Sequence, residues 1–248
     1  MEISEDAKIV SPPHPFVIEP PLSTTTQFCA EAPFEFNLLL FGEVNRSLPY
    51  FIFAFDRMGT IGIGKKVNGS RGKFSLNEVK RNADTIYSKS DKKLHVAHNP
   101  IGLSVEATSA ESDETFCLKL TPETPLRLKF ENRLKADLPF HVLVRAMLRR
   151  ASSLLNCYGA GEPPLDYSGL VKRAASVQTI DSSLKWFDWQ RYSFRQNSSM
   201  LMGGITGCVV YEGKLGEFIP LIRFCEKTHL GKQTAFGLGK IRTEQVKK

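Results

Sequence analysis

Apolar and polar positions along the chain follow two different periods, and the switches between them outline a series of strands and helices. Phe34-Glu-Phe-Asn-Leu-Leu-Leu-Phe41 has the alternation of a strand and is closed by Gly42. The apolar stretch 49–58 predicts a buried helix, with Pro49 in its first turn and Gly59 as its C-terminal cap. A glycine loop with Gly59, Gly62 and Gly64 before Lys65 and Lys66 comes next, then strands over 73–79, 85–88 and 93–97. The polar stretch 106–114 reads as a boundary. Beyond it, 115–120 and 126–130 alternate around Pro122 and Pro125 as a strand broken by a turn. Phe140, Leu143, Val144, Met147, Leu148, Ala151, Leu154 and Leu155 recur at helical spacing, so a long helix is expected over 139–158, ended by Gly159. A helix over 165–175, strands over 177–180, 184–195 and 205–211, a helix over 218–226 and a strand over 238–246 complete the reading.

The second half thus runs strand, helix, strand, strand, helix, strand, which is the ferredoxin-like order. The first half shows only strand, helix, glycine loop and strand. The expected class is α+β with tandem ferredoxin-like domains, the first incomplete at its N-terminus, divided as 1–110 and 111–248. Residues 1–33, with Pro12, Pro13, Pro15, Pro20 and Pro21, read as an extended opening segment without a core element.

Charge and motif then narrow the chemistry. The net charge of +7 favours nucleic acid over acidic partners. The tail His229-Leu-Gly231-Lys232-Gln-Thr-Ala-Phe-Gly237-Leu-Gly239-Lys240 joins glycines to cations, which suits a phosphate chain: Lys232 and Lys240, with the backbone amides of Gly231, Gly237 and Gly239, are candidate contacts. A helix cap and a tight turn would explain the same glycines. Arg145 and Arg149, one helical turn apart, and Arg150 beside them can track phosphates or form a solvated rim. Arg191 and Arg195 share one side of a strand, with Tyr192 and Phe194 on the other. The scattered cysteines, five in number, lack C-x-x-C spacing, so neither a disulfide framework nor a structural zinc site is expected, and no cofactor motif is present. The segment after Gly231 lacks the leading glycine of a Walker loop, and no serine lies in a nucleophile elbow.

Several segments together resemble the CRISPR repeat-processing endoribonucleases of the RAMP superfamily: Phe140-His-Val-Leu-Val-Arg-Ala-Met-Leu-Arg149-Arg150, Trp189-Gln-Arg191-Tyr192, Met202-Gly203-Gly204, the glycine-rich tail, and His14-Pro-Phe-Val-Ile-Glu19-Pro-Pro21. Acidic and polar residues 1–10 are no signal peptide and the longest apolar runs are too short for a bilayer, so a cytoplasmic protein is expected; the resemblance implies a monomer or homodimer that binds CRISPR repeat RNA alongside other CRISPR effector subunits. It also implies metal-independent cleavage, in which the substrate's own 2′-hydroxyl attacks the next phosphate and leaves a cyclic phosphate. Such chemistry needs a base, an acid and a cation. His229 and His141 are the candidate proton carriers and Lys232 the candidate cation. His229 can equally be a helix-terminal residue, and His141 a surface residue beside Pro139. Many family members carry a histidine in an opening first-domain helix that has no counterpart here, so a non-catalytic RNA-binding subunit is the alternative.

Overall fold

The computed structural model describes residues 12–23, 25, 27–95, 102–105, 114–128, 137–193 and 197–247. The expected boundary at 106–113, residues 96–97 and 129–130 of two strand candidates, and Phe194 and Arg195 lie outside them. The chain is mixed α/β and packs as two units, one formed by 1–41 with 103–248 and the other by 42–102. No helix among the described residues is long and apolar enough to cross a membrane.

The larger unit opens with a hairpin of β1 (Phe16–Glu19) and β2 (Asn37–Leu40), in which Glu19 pairs with Asn37. A core strand therefore lies inside the proline-rich stretch expected to hold none. Prolines flank β1 at Pro15 and Pro20 without interrupting it, and Val17 is fully buried.

Next come β7 (Thr115–Pro122), α2 (Phe140–Tyr158), α3 (Tyr167–Ala174), β8 (Gln178–Ser182), β9 (Lys185–Phe187), β10 (Gln190–Ser193), β11 (Ser198–Leu201), β12 (Gly204–Thr206), β13 (Val209–Lys214), α4 (Ile219–Thr228) and β14 (Ile241–Val246). The smaller unit holds α1 (Leu48–Ile61), β3 (Ile63–Val67), β4 (Ser70–Gly72), β5 (Glu78–Arg81) and β6 (Asp84–Ser88). The main sheet is antiparallel in the order β14-β7-β13-β8. With α2 between β7 and β8, and α4 between β13 and β14, both the strand-helix order and the neighbour order match the ferredoxin-like expectation for this half. Two expected strands are subdivided. The run 184–195 becomes β9 and β10, with β11 turning back on β10, and 205–211 breaks at Gly207, whose φ of 100° ends β12.

The apolar stripe of α2 explains the core. Leu143, Val144 and Met147 are wholly buried, each contributing roughly 1.5–3 kcal/mol of transfer free energy. The Phe140 ring meets Tyr211 on β13 and Phe218 before α4, both at 5.0 Å and at steep angles, which is the favoured edge-to-face arrangement. The Tyr211 hydroxyl donates to Leu138 O at 2.7 Å, so the buried phenol is satisfied. Burial raises its pKa.

In the smaller unit α1 (Leu48–Ile61) runs through Gly59 and ends at Gly62, φ 89°. Gly59 is not the expected cap. A Cβ there would strike Phe74 O, so glycine permits close packing of that carbonyl on the helix. The expected glycine loop is a hairpin of β3 (Ile63–Val67) and β4 (Ser70–Gly72), and β5 (Glu78–Arg81) pairs with β6 (Asp84–Ser88). The two glycine-rich stretches that echo each other in sequence therefore differ in fold, since the tail version is not a hairpin.

Truncating the aromatic cluster should be costly: Phe140→Ala is expected to destabilise the protein by about 3–5 kcal/mol, read as a lower midpoint in denaturant unfolding.

Candidate functional site

The glycine-rich tail is a closed loop between α4 and β14. Its neck is tied by Leu230 N–H donating to Gly239 O at 2.8 Å, and by Gly239 N–H donating to Pro125 O at 3.1 Å. Gly231, Gly237 and Gly239 all have positive φ, between 75° and 91°. A side chain at Gly231 would collide with Arg127 O, and one at Gly237 with Ile18 O and Pro20. These glycines serve close backbone approach.

Their expected role as amide donors to phosphate meets a contrary geometry. The N–H groups of Lys232, Phe236, Gly237, Gly239 and Lys240 are directed to Arg127 O, Gln233 O, Thr234 O, Pro125 O and Thr124 Oγ1. What the loop offers to solvent is the Lys232 side chain and the Phe236 ring, 46% exposed. Gln233 Oε1 is buried without a hydrogen-bond partner.

Beneath the loop lies a buried polar cluster. His229 is 0% exposed and takes φ 60°, ψ 159°, a backbone region that side chains other than glycine rarely occupy. Its Nδ1 is 3.0 Å from Leu238 O and its Nε2 is 2.7 Å from Glu19 Oε1. Neither nitrogen faces solvent, so the expected catalytic role of His229 is corrected: its ring is occupied in holding the loop neck. Lys240 Nζ donates to Glu19 Oε2 at 3.2 Å, so this lysine is an ion-pair partner rather than a free phosphate contact. Asn37 Nδ2 donates to the same oxygen at 2.8 Å. The hydrogen bond from His229, with those from Asn37 and Lys240, holds the Glu19 carboxyl at about 2 against the opposing effect of burial.

Arg150 joins the cluster and also departs from expectation. Its Nη2 donates to Thr228 O at 2.6 Å and its Nε to His229 O at 3.1 Å. It thereby caps the C-terminal carbonyls of α4, where a cation also suits the helix dipole. Phe41 lies under the guanidinium at 5.9 Å. Burial lowers the Arg150 pKa to about 10, which leaves it charged at neutral pH.

Arg145 and Arg149 occupy the exposed face of α2, as their spacing predicts. His141 sits in the first turn of that helix, nine residues before Arg150 and hence about 13 Å along the axis from it.

A second exposed group gathers beside the loop. Arg191 on β10 places its guanidinium 4.2 Å from the centre of the Phe236 ring. Arg127, whose carbonyl receives Lys232 N–H, donates through Nη1 to Leu201 O and Gly203 O at 3.2 and 3.1 Å. With Trp186, Asp188 and Leu201 it lines an open pocket of about 230 Å³. Glu19, Arg127 and Phe236 were missed as site residues in the sequence. Phe236 was detectable as the aromatic inside the glycine run, and Glu19 as the lone charge in the apolar run of β1.

The fold and this loop define a mixed α/β protein with a ferredoxin-like half closed by a glycine-rich tail. Residues 120–241 match the family model described as CRISPR-associated endoribonuclease Cas6, and residues 2–100 match one described as an N-terminal domain. Cas6 of Thermus thermophilus in a product complex is 13% identical, with a TM-score of 0.55 over 95% of this chain and 84% of its own. A second Cas6 product complex is 17% identical, with a TM-score of 0.45 over 93% of this chain and 84% of its own. Another structure of Thermus thermophilus Cas6 is 12% identical, with a TM-score of 0.41, and the match spans 54% of this chain and 56% of its own. No curated protein sequence matches the chain.

Two outcomes follow from the buried cluster. Because the Glu19 pKa is depressed in the folded state, its stabilisation is present above its ordinary value of 4.5 and lost as pH falls from there towards about 2. Glu19→Gln should flatten that part of the stability profile in thermal unfolding across the acid range. Arg150→Ala strands two buried carbonyls and should cost about 1–3 kcal/mol. Arg150→Lys, lacking the forked donor, should recover only part of it.

Proposed function

We propose that this chain binds CRISPR repeat transcripts and cleaves them without metal, in the cytoplasm, through attack of the substrate's 2′-hydroxyl on the adjacent phosphate. The observation that carries this reading is the match of residues 120–241 to the Cas6 endoribonuclease family. The two family models leave a gap at 101–119, which supports a division of the chain near residue 110. The RNA runs over the exposed side of the glycine loop, where Lys232, Arg191 and Phe236 combine cations with a ring on which a base stacks. Arg145 and Arg149 extend the basic surface along α2. Lys232 supplies the cation for the phosphorane.

A specific observation favours the alternative of an RNA-holding subunit without activity: the ring of His229 is enclosed, with both nitrogens bonded inside the protein. In that case the chain acts beside other CRISPR effector subunits.

The deciding assay gives the purified protein its repeat RNA in EDTA, next to RNAs with a 2′-deoxy substitution at each position in turn. Metal-free cleavage abolished by a single substitution is expected of the nuclease, whereas tight binding with intact RNA assigns the holding role. Stacking of one base is worth about 1–3 kcal/mol, so Phe236→Ala should weaken repeat binding roughly 5- to 150-fold in a filter-binding titration.

A further inference from the structure

The glycine loop is held from below by a residue more than two hundred positions away in sequence. Glu19 ends β1, and its two carboxylate oxygens reach the two ends of the loop: Oε1 meets His229, the first residue after α4, and Oε2 meets Lys240, the last before β14. The same strand lies directly under the loop, since Gly237 packs on Ile18 O and Pro20. His229 holds φ 60°, ψ 159°, a conformation that strains a residue carrying a side chain. A glycine would adopt it freely, so an energetic compensation must come from the side chain. The bonds from the imidazole to Glu19 and Leu238 O, together with Arg150 on the His229 carbonyl, supply it.

We propose that Glu19 is a positioning residue for RNA binding: a carboxylate from the N-terminal strand that clasps both ends of the glycine-rich loop and so presents Lys232 and Phe236 in the conformation that grips the substrate. The proposal rests on the RNA-binding reading given above. Glu19 itself is enclosed and touches no RNA. Its influence passes through His229 and Lys240 to the tip, where Thr234–Phe236 makes a single 3₁₀ turn. This role explains why histidine stands where the backbone alone would select glycine, and why the lysine at the end of the loop is paired inward.

The test measures two quantities on the full chain: affinity for a repeat RNA made uncleavable by 2′-deoxy substitution, and amide hydrogen exchange across 230–240. Glu19→Ala should raise exchange in the loop selectively and weaken RNA binding by tenfold or more. Glu19→Gln keeps an acceptor for His229 but loses the negative charge paired with Lys240, and should fall between. His229→Gly removes the clasp from its other end while easing the backbone, so it guards against a Glu19 variant that fails to fold: it should bind RNA as poorly as Glu19→Ala, with the same selective rise in exchange across the loop.

His229→Gly with wild-type affinity and wild-type exchange reduces the histidine to a helix terminator and overturns the proposal. So does a Glu19→Ala protein with a loosened loop and unchanged affinity. Wild-type protein that fails to bind the repeat RNA overturns the RNA reading and, with it, this role, and that result is read before any variant is compared.

Discussion

A buried carboxylate has to be answered by donors, and the placement of Glu19 organises everything around the tail of this protein. Left alone in the interior the charge would be strongly unfavourable. Here Asn37, His229 and Lys240 converge on it from β2, the end of α4 and the start of β14. Four segments far apart in sequence are thereby brought to one point. Arg150 extends the arrangement by capping α4 from α2, so the main helix, the last helix and the loop neck are bonded to one another through charged groups. Removing any one member leaves another charge or carbonyl without its partner, so the cluster resists piecemeal change.

This arrangement divides the labour within the loop. The glycines permit backbone approach: Gly231 to Arg127 O, Gly237 to β1, Gly239 across the neck to Leu230. The N–H groups of Lys232, Phe236, Gly237, Gly239 and Lys240 are bonded within the protein. Recognition is left to side chains at the tip and to neighbours on β10, where Arg191 stacks on Phe236. Glycines and cations lie together in the sequence, yet they perform separate tasks: the glycines shape the loop, Lys232 faces solvent and Lys240 pairs inward with Glu19.

The distribution of charge has a similar logic. Arg149 and Arg150 are adjacent, but a helix turns by about 100° between them. Arg149 therefore points outward while Arg150 is buried against the end of α4. His141 and His229 are likewise separated, one on the first turn of α2 and the other under the loop.

Periodicity alone determined the larger elements. The apolar stripe from Phe140 to Leu155 dictates a long helix, and the order of strands and helices after residue 115 dictates the ferredoxin-like half, because local pattern decides which face each element buries. It also placed Arg145 and Arg149 on a solvent face. What it could not decide were pairings between distant segments. β1 is four residues between prolines, and its strand character depends on β2 and on the loop packed over it. Whether His229 carries protons or closes a loop, and whether Lys240 faces phosphate or Glu19, depends on contacts across about 220 residues. Local sequence encodes each side chain's chemistry and the face of its own element, but burial and partnership are properties of the packed chain, and only tertiary structure decided them.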